Sequence, residues 1–84
     1  MHDDVIDVEP VGHLRLAVRF ANGLSGHVEF KKSHLYGVFE ALKDSKLFEE
    51  VHCRNGFVEW PGDLDIAPDA MYEEIKARGC WILE

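Results

Sequence analysis

The stretch HLRLAVRFANGLSGHVEF, residues 13–30, constrains the fold more than any other part of the chain. Leu14, Leu16, Val18 and Phe20 alternate with His13, Arg15, Ala17 and Arg19, the period of a strand with one buried face. Past Asn22-Gly23 the alternation resumes, with Leu24, Gly26, Val28 and Phe30 set against Ser25, His27 and Glu29. A two-residue Asn22-Gly23 turn would place Phe20 opposite Ser25 and Val18 opposite His27, mixing the two faces. A three-residue loop, Ala21-Asn22-Gly23, places Phe20 opposite Leu24, Val18 opposite Gly26 and Leu16 opposite Val28. One face then stays apolar, and Gly23 supplies the left-handed residue that such a loop needs. The three-residue loop is the expectation, with His13 opposite Lys31 and His27 opposite Ala17.

A second hairpin, VHCRNGFVEW, resolves the other way. A two-residue Asn55-Gly56 turn pairs Arg54 with Phe57, Cys53 with Val58 and Val51 with Trp60, leaving His52 and Glu59 as a polar cross-strand pair. Ahead of the first hairpin, Val5 to Val11 reads as a strand with Ile6 and Val8 on one face and Pro10 suited to an edge. Between the hairpins, Leu35, Val38, Phe39 and Leu42 fall at helical spacing, with Ser33 as cap and Gly37 weakening the first turn. The last helix is expected from about Pro68 to Arg78. Pro68 suits its first position, Asp69 its positive end, Lys76 and Arg78 its negative end, and Gly79 a left-handed ending that folds Cys80 back onto Ile75. Trp81 to Leu83 continue the packing. The order β-β-β-α-β-β-α predicts an α+β fold: an antiparallel sheet of about five strands with two short helices packed on it, one domain over residues 1–84.

Eighty-four residues bury only roughly 60–65% of the surface an unfolded chain exposes, which leaves one modest core and little room for a deep active site. The net charge of −7 disfavours free nucleic acid, whose phosphates call for surplus Lys and Arg. Cys53 and Cys80 form no CxxC pair, the N-terminus MHDDVIDVEP is acidic, and no apolar run approaches a membrane span. A soluble cytoplasmic protein is expected.

With those elements assigned, the chain resembles the bacterial family catalogued as domain of unknown function 2442. The likeness rests on VIDVEPVGHLRLAVRFANGLSGHVEF, on GVFEALKD and LFEEV, and above all on VEWPGDLDIAPDAMYE. The resemblance implies a compact α+β module, alone or joined to a helix-turn-helix. It also implies members encoded beside a small partner, as in toxin–antitoxin pairs. With Glu84 as the last residue, no appended DNA-binding domain is expected, and the family offers no agreed catalytic residues.

The richest chemistry lies in WPGDLDIAPDAMY. Asp63, Asp65, Asp69 and Glu74 occupy positions 1, 3, 7 and 12 of a calcium-loop frame, but Ala67 and Pro68 stand at positions 5 and 6, where an oxygen ligand and a glycine are required. The expectation is architecture: Pro61-Gly62 turns the chain, Asp65 bonds loop amides, and Pro68-Asp69 starts the helix. A catalytic or metal corner of Trp60, Asp63, Asp65, Asp69 and Tyr72 is the alternative. The histidines lack ligand spacing, Ser25 in GLSG lacks the elbow glycine, and Cys53 falls on a core face. No cofactor or metal is expected. Basic charge gathers in the first hairpin and its exit, in His13, Arg15, Arg19, His27, Lys31 and Lys32, opposed there by Glu29, and forms a candidate interaction face. The favoured function is a non-enzymatic protein-interaction module, antitoxin-like in its sharper version. It would bind another small protein or a second copy, and neither a membrane nor nucleic acid directly.

Overall fold

The computed structural model describes residues 4–62 and 64–84, with the side chain of Val38 excepted. Seven strands form two sheets: β1 (Val5–Gly12), β2 (Arg15–Phe20), β3 (Ser25–Phe30) and β7 (Cys80–Leu83) in one, and β4 (His52–Arg54), β5 (Phe57–Trp60) and β6 (Leu64–Ile66) in the other. The first sheet has the order β1-β2-β3-β7 and is mixed, because β7 runs parallel to β3. The expected single antiparallel sheet of five strands is therefore two sheets of four and three strands.

Both hairpins fold as their polarity requires. Leu16 lies opposite Val28, Ala17 opposite His27 and Val18 opposite Gly26, and the Phe20 amide donates to the Leu24 carbonyl at 2.8 Å. Gly23 is left-handed at φ 95°, and the Asn22 side chain accepts the Leu24 amide at 2.9 Å, closing the three-residue loop. In the second hairpin Cys53 faces Val58 and His52 faces Glu59 across left-handed Asn55 and Gly56.

The first strand departs from simple alternation. A bulge sets Val5 opposite Phe20 and Asp7 opposite Arg19, so Val5 is buried while Ile6 turns outward and is 50% exposed. His13 lies in the β1–β2 turn and not opposite Lys31. It is Leu14 whose carbonyl accepts the Phe30 amide, at 2.9 Å. Leu14 has φ 57°, a conformation unfavourable for a branched side chain, held because that side chain is buried in the core.

The middle segment is not one α-helix. It forms two 3-10 turns, Lys32–His34 and Gly37–Lys43, followed by α1 (Ser45–Phe48). Gly37 at φ 60° interrupts any continuous α geometry, Ser33 caps nothing, and Asp44 caps α1 by accepting the Lys46 amide at 2.9 Å. Leu35 and Leu42 nonetheless reach the core, so the apolar stripe survives the change of helix type.

The last helix, α2 (Pro68–Arg78), follows the sequence closely. Pro68 opens it, and Gly79 closes it in the left-handed region with its amide on the Ile75 carbonyl at 2.7 Å. Cys80 enters β7 opposite His27. The core joins both sheets and α2. Phe30 meets Trp60 edge-on at 5.9 Å and Phe48 at 6.1 Å, while Met71 and Ile75 from α2 are fully buried.

Candidate functional site

The eleven residues singled out by sequence fall into separate places. Asp63 lies outside the described residues. Trp60 is a core residue whose indole N–H donates to the Phe48 carbonyl at 3.0 Å. Asp65 belongs to β6, opposite Glu59, and is thus a strand residue and not a loop residue bonding amides. Asp69 sits in the first turn of α2. Tyr72 points the other way, toward the first hairpin: its ring meets Phe20 edge-on at 5.1 Å and its hydroxyl accepts an N–H of the Asn22 side chain at 2.8 Å. The cavity beside Asp65 is lined by Phe39, Ala41, Leu47, Pro61, Gly62 and Leu64, without Asp69 or Tyr72. Among the described residues, no three His, Cys, Asp or Glu side chains are placed to hold one metal ion.

The basic face also divides. Arg15, Arg19 and His27 share the outer face of the four-stranded sheet, and Lys31 follows at the end of β3. β1 brings two further carboxylates to that face, Asp7 opposite Arg19 and Glu9 opposite Ala17, which the sequence reading did not count. Arg19 lies 3.9 Å from Asp7, Arg15 3.3 Å from Glu29, and Lys31 3.1 Å from Glu29. Three cations therefore face three carboxylates, and the surface is a mixed-charge lattice, not a basic patch. Such exposed pairs each contribute little to stability.

Glu29 at the centre of this lattice is held below the usual glutamate range, first by the hydrogen bond from Lys31 and then by that from Arg15. A lowered folded-state pKa means that its stabilising effect is present above the ordinary glutamate pKa and is lost as pH falls through the lowered value. Lys31→Met is expected to raise the Glu29 midpoint toward the ordinary range, read by carboxyl ¹³C NMR titration. An unchanged midpoint would remove Lys31 as the principal cause.

His13 and Lys32 stand apart from that face. With Lys43 they line a cavity of about 360 Å³ at the end of the sheet, floored by Leu14 and Leu35. Lys43 was not singled out by sequence, because nothing local connects positions 13, 32 and 43. The β7 edge was missed as well; its signal was the uncharged quartet Cys-Trp-Ile-Leu directly after a helix-ending glycine.

Among the described residues, no helix is long and apolar enough to cross a membrane. Cys53 and Cys80 are free and half-buried. No curated protein and no solved structure matches the chain. The sequence profile of the family described as Protein of unknown function (DUF2442) matches residues 5–77, nearly the whole length, and the chain belongs to that family.

Proposed function

We propose that the protein is a non-catalytic binding module that offers the free edge of β7 to a strand of a basic partner protein. The observation that carries this reading is the contrast between the two edges of the four-stranded sheet. The β1 edge is guarded by Pro10, two register irregularities, Asp7 and Glu9, and by the second hairpin, whose Gly56 carbonyl accepts the Val5 amide at 3.2 Å. These are the usual devices that stop an edge strand from pairing with other chains. The β7 edge has none of them: its four residues carry no charge, proline or bulge.

The register fixes which groups are available. The Gly79 and Leu83 carbonyls accept the His27 and Lys31 amides, at 3.3 and 2.8 Å, so in a parallel ladder the backbone groups of Cys80 and Ile82 point away from the sheet. Ile82, 45% exposed, adds an apolar contact beside them. Strand addition at such an edge draws affinity from main-chain hydrogen bonds. The net charge of −7 opposes pairing with a second copy and favours a cationic partner. An antitoxin-like role is one case of this reading.

Ile82→Pro removes an outward amide while leaving every bond to β3 in place, so folding should persist. The purified chain is expected to be monomeric. Tagged chain from the native host should retain one basic partner in stoichiometric amount, lose it in Ile82→Pro, and show slowed amide exchange at Cys80 and Ile82 when bound. A homodimer, the absence of any stoichiometric partner, or undiminished capture by Ile82→Pro would overturn the proposal.

A further inference from the structure

We infer that the cavity between the β1–β2 turn and the two 3-10 turns is a binding site for a small phosphate monoester with an apolar substituent. His13, Lys32 and Lys43 line it, with Leu14 and Leu35 beneath, and no carboxylate is among its lining residues. In a chain with 16 acidic residues against nine basic ones, such a lining is a local reversal of charge. Among the described residues none of the three basic side chains has an ion-pair or hydrogen-bond partner, whereas Arg15, Arg19 and Lys31 nearby are all paired. Lys32 and Lys43 thus bring two cationic side chains to one small cavity with no carboxylate in its lining to offset them.

The floor has a different character. Leu14 and Leu35 are only 6% and 3% exposed, so the cavity reaches down to the apolar core. Leu14 also carries the unfavourable left-handed backbone already noted, and strain of that kind concentrates where a turn must present neighbouring groups in a set direction. Here the turn buries the leucine and leaves its neighbour His13 on the cavity wall. The volume, about 360 Å³, falls within the range of small-molecule sites. Glu49 lines the neighbouring cavity, which shares His13 and Leu14, and does not line this one.

The donor set selects the anion. Lysines act as compact point charges, the mode in which lysine binds phosphate, and two of them offer more charge than a monoanionic carboxylate requires. Two ammonium groups balance a phosphate dianion, and an imidazole N–H can add a hydrogen bond. An apolar substituent on the ester would cover Leu14 and Leu35.

Phenyl phosphate is a suitable probe, titrated into the ¹⁵N-labelled full chain and followed by amide chemical shifts. Saturable shifts at His13, Leu14, Lys32, Leu35 and Lys43, millimolar or tighter, are expected. Both lysines are exposed, so Lys32→Gln and Lys43→Gln should leave the fold intact and weaken binding by about tenfold each. Inorganic phosphate and phenylacetate should bind more weakly than phenyl phosphate. Absence of saturable shifts, or unchanged affinity in the double variant, overturns the site. Equal affinity for inorganic phosphate overturns the role given to the leucine floor, and tighter binding of phenylacetate overturns the choice of phosphate.

Discussion

Trp60→Ala is expected to remove roughly half or more of the folding stability of the chain. The side chain is 2% exposed and packs against Phe30 and Phe48 at ring separations of 5.9 and 6.0 Å, so it bridges the two sheets. Truncating a buried tryptophan costs about 3–5 kcal/mol, and loss of the indole bond adds about 0.5–1.5 kcal/mol, because the Phe48 carbonyl keeps the Val51 amide at 3.3 Å. A domain of this length has only about 4–13 kcal/mol in all. Trp60→Phe separates the two terms, since it keeps a ring in the core but removes the N–H at 3.0 Å from Phe48. Urea denaturation should show it less stable by at least about 0.5–1.5 kcal/mol with an unchanged slope. Stability equal to that of the parent chain would mean that the indole bond contributes nothing.

Gly26→Ala should be nearly as informative, despite adding one methyl group. A Cβ at Gly26 would stand 2.5 Å from the Gly79 carbonyl oxygen and 2.6 Å from the Ile75 methyl. The first of these is backbone and accepts the His27 amide, so relief requires lifting the end of α2 and the start of β7 off the sheet. Overpacking of this kind costs about 1–3 kcal/mol, a fall in Tm of roughly 5–20 °C for a domain of this size. Ser25→Ala, one residue away on the outer face, should stay within about 0.5 kcal/mol of the parent. A thermal melt in which both variants match the parent would show that α2 rests less tightly on β3 than the distances imply.

Gly26 also illustrates how far the sequence can be read. Its place in the apolar alternation was evident, and so were both hairpin registers, because each alternative register mixes polar and apolar faces and can be rejected locally. The cause of the glycine was not evident, since the groups that exclude a side chain lie some fifty residues later, at Ile75 and Gly79. β6 escaped notice for a different reason. Leu64-Asp65-Ile66 does alternate, but it is three residues long and embedded among turn formers, so the aspartate read as part of a loop. The middle helix had the right apolar spacing and the wrong geometry, because periods of 3.0 and 3.6 residues are indistinguishable over so short a run.

The candidate sites follow the same division. The cations of the first hairpin were countable, but the strand that neutralises part of their charge had to be placed beside β2 before Asp7 and Glu9 could be set against them. Conversely, His13, Lys32 and Lys43 acquire meaning only when two 3-10 turns bring the lysines to the same cavity. Spacing along a chain reports faces of single elements; it is silent about residues contributed by three loops.

The parallel ladder between β3 and β7 carries one more implication. A ribosome delivering this chain from its first residue completes the three-stranded meander long before the strand that flanks it emerges. Until then Val28 and Phe30 lack their outer neighbours, and the nascent meander is open along the side where Trp81 and Leu83 will dock. Closing a loop of about fifty residues is entropically costly and yields nothing until its ends meet. Assembly should therefore wait on that final seam, which makes the half-built sheet the species most in need of a chaperone.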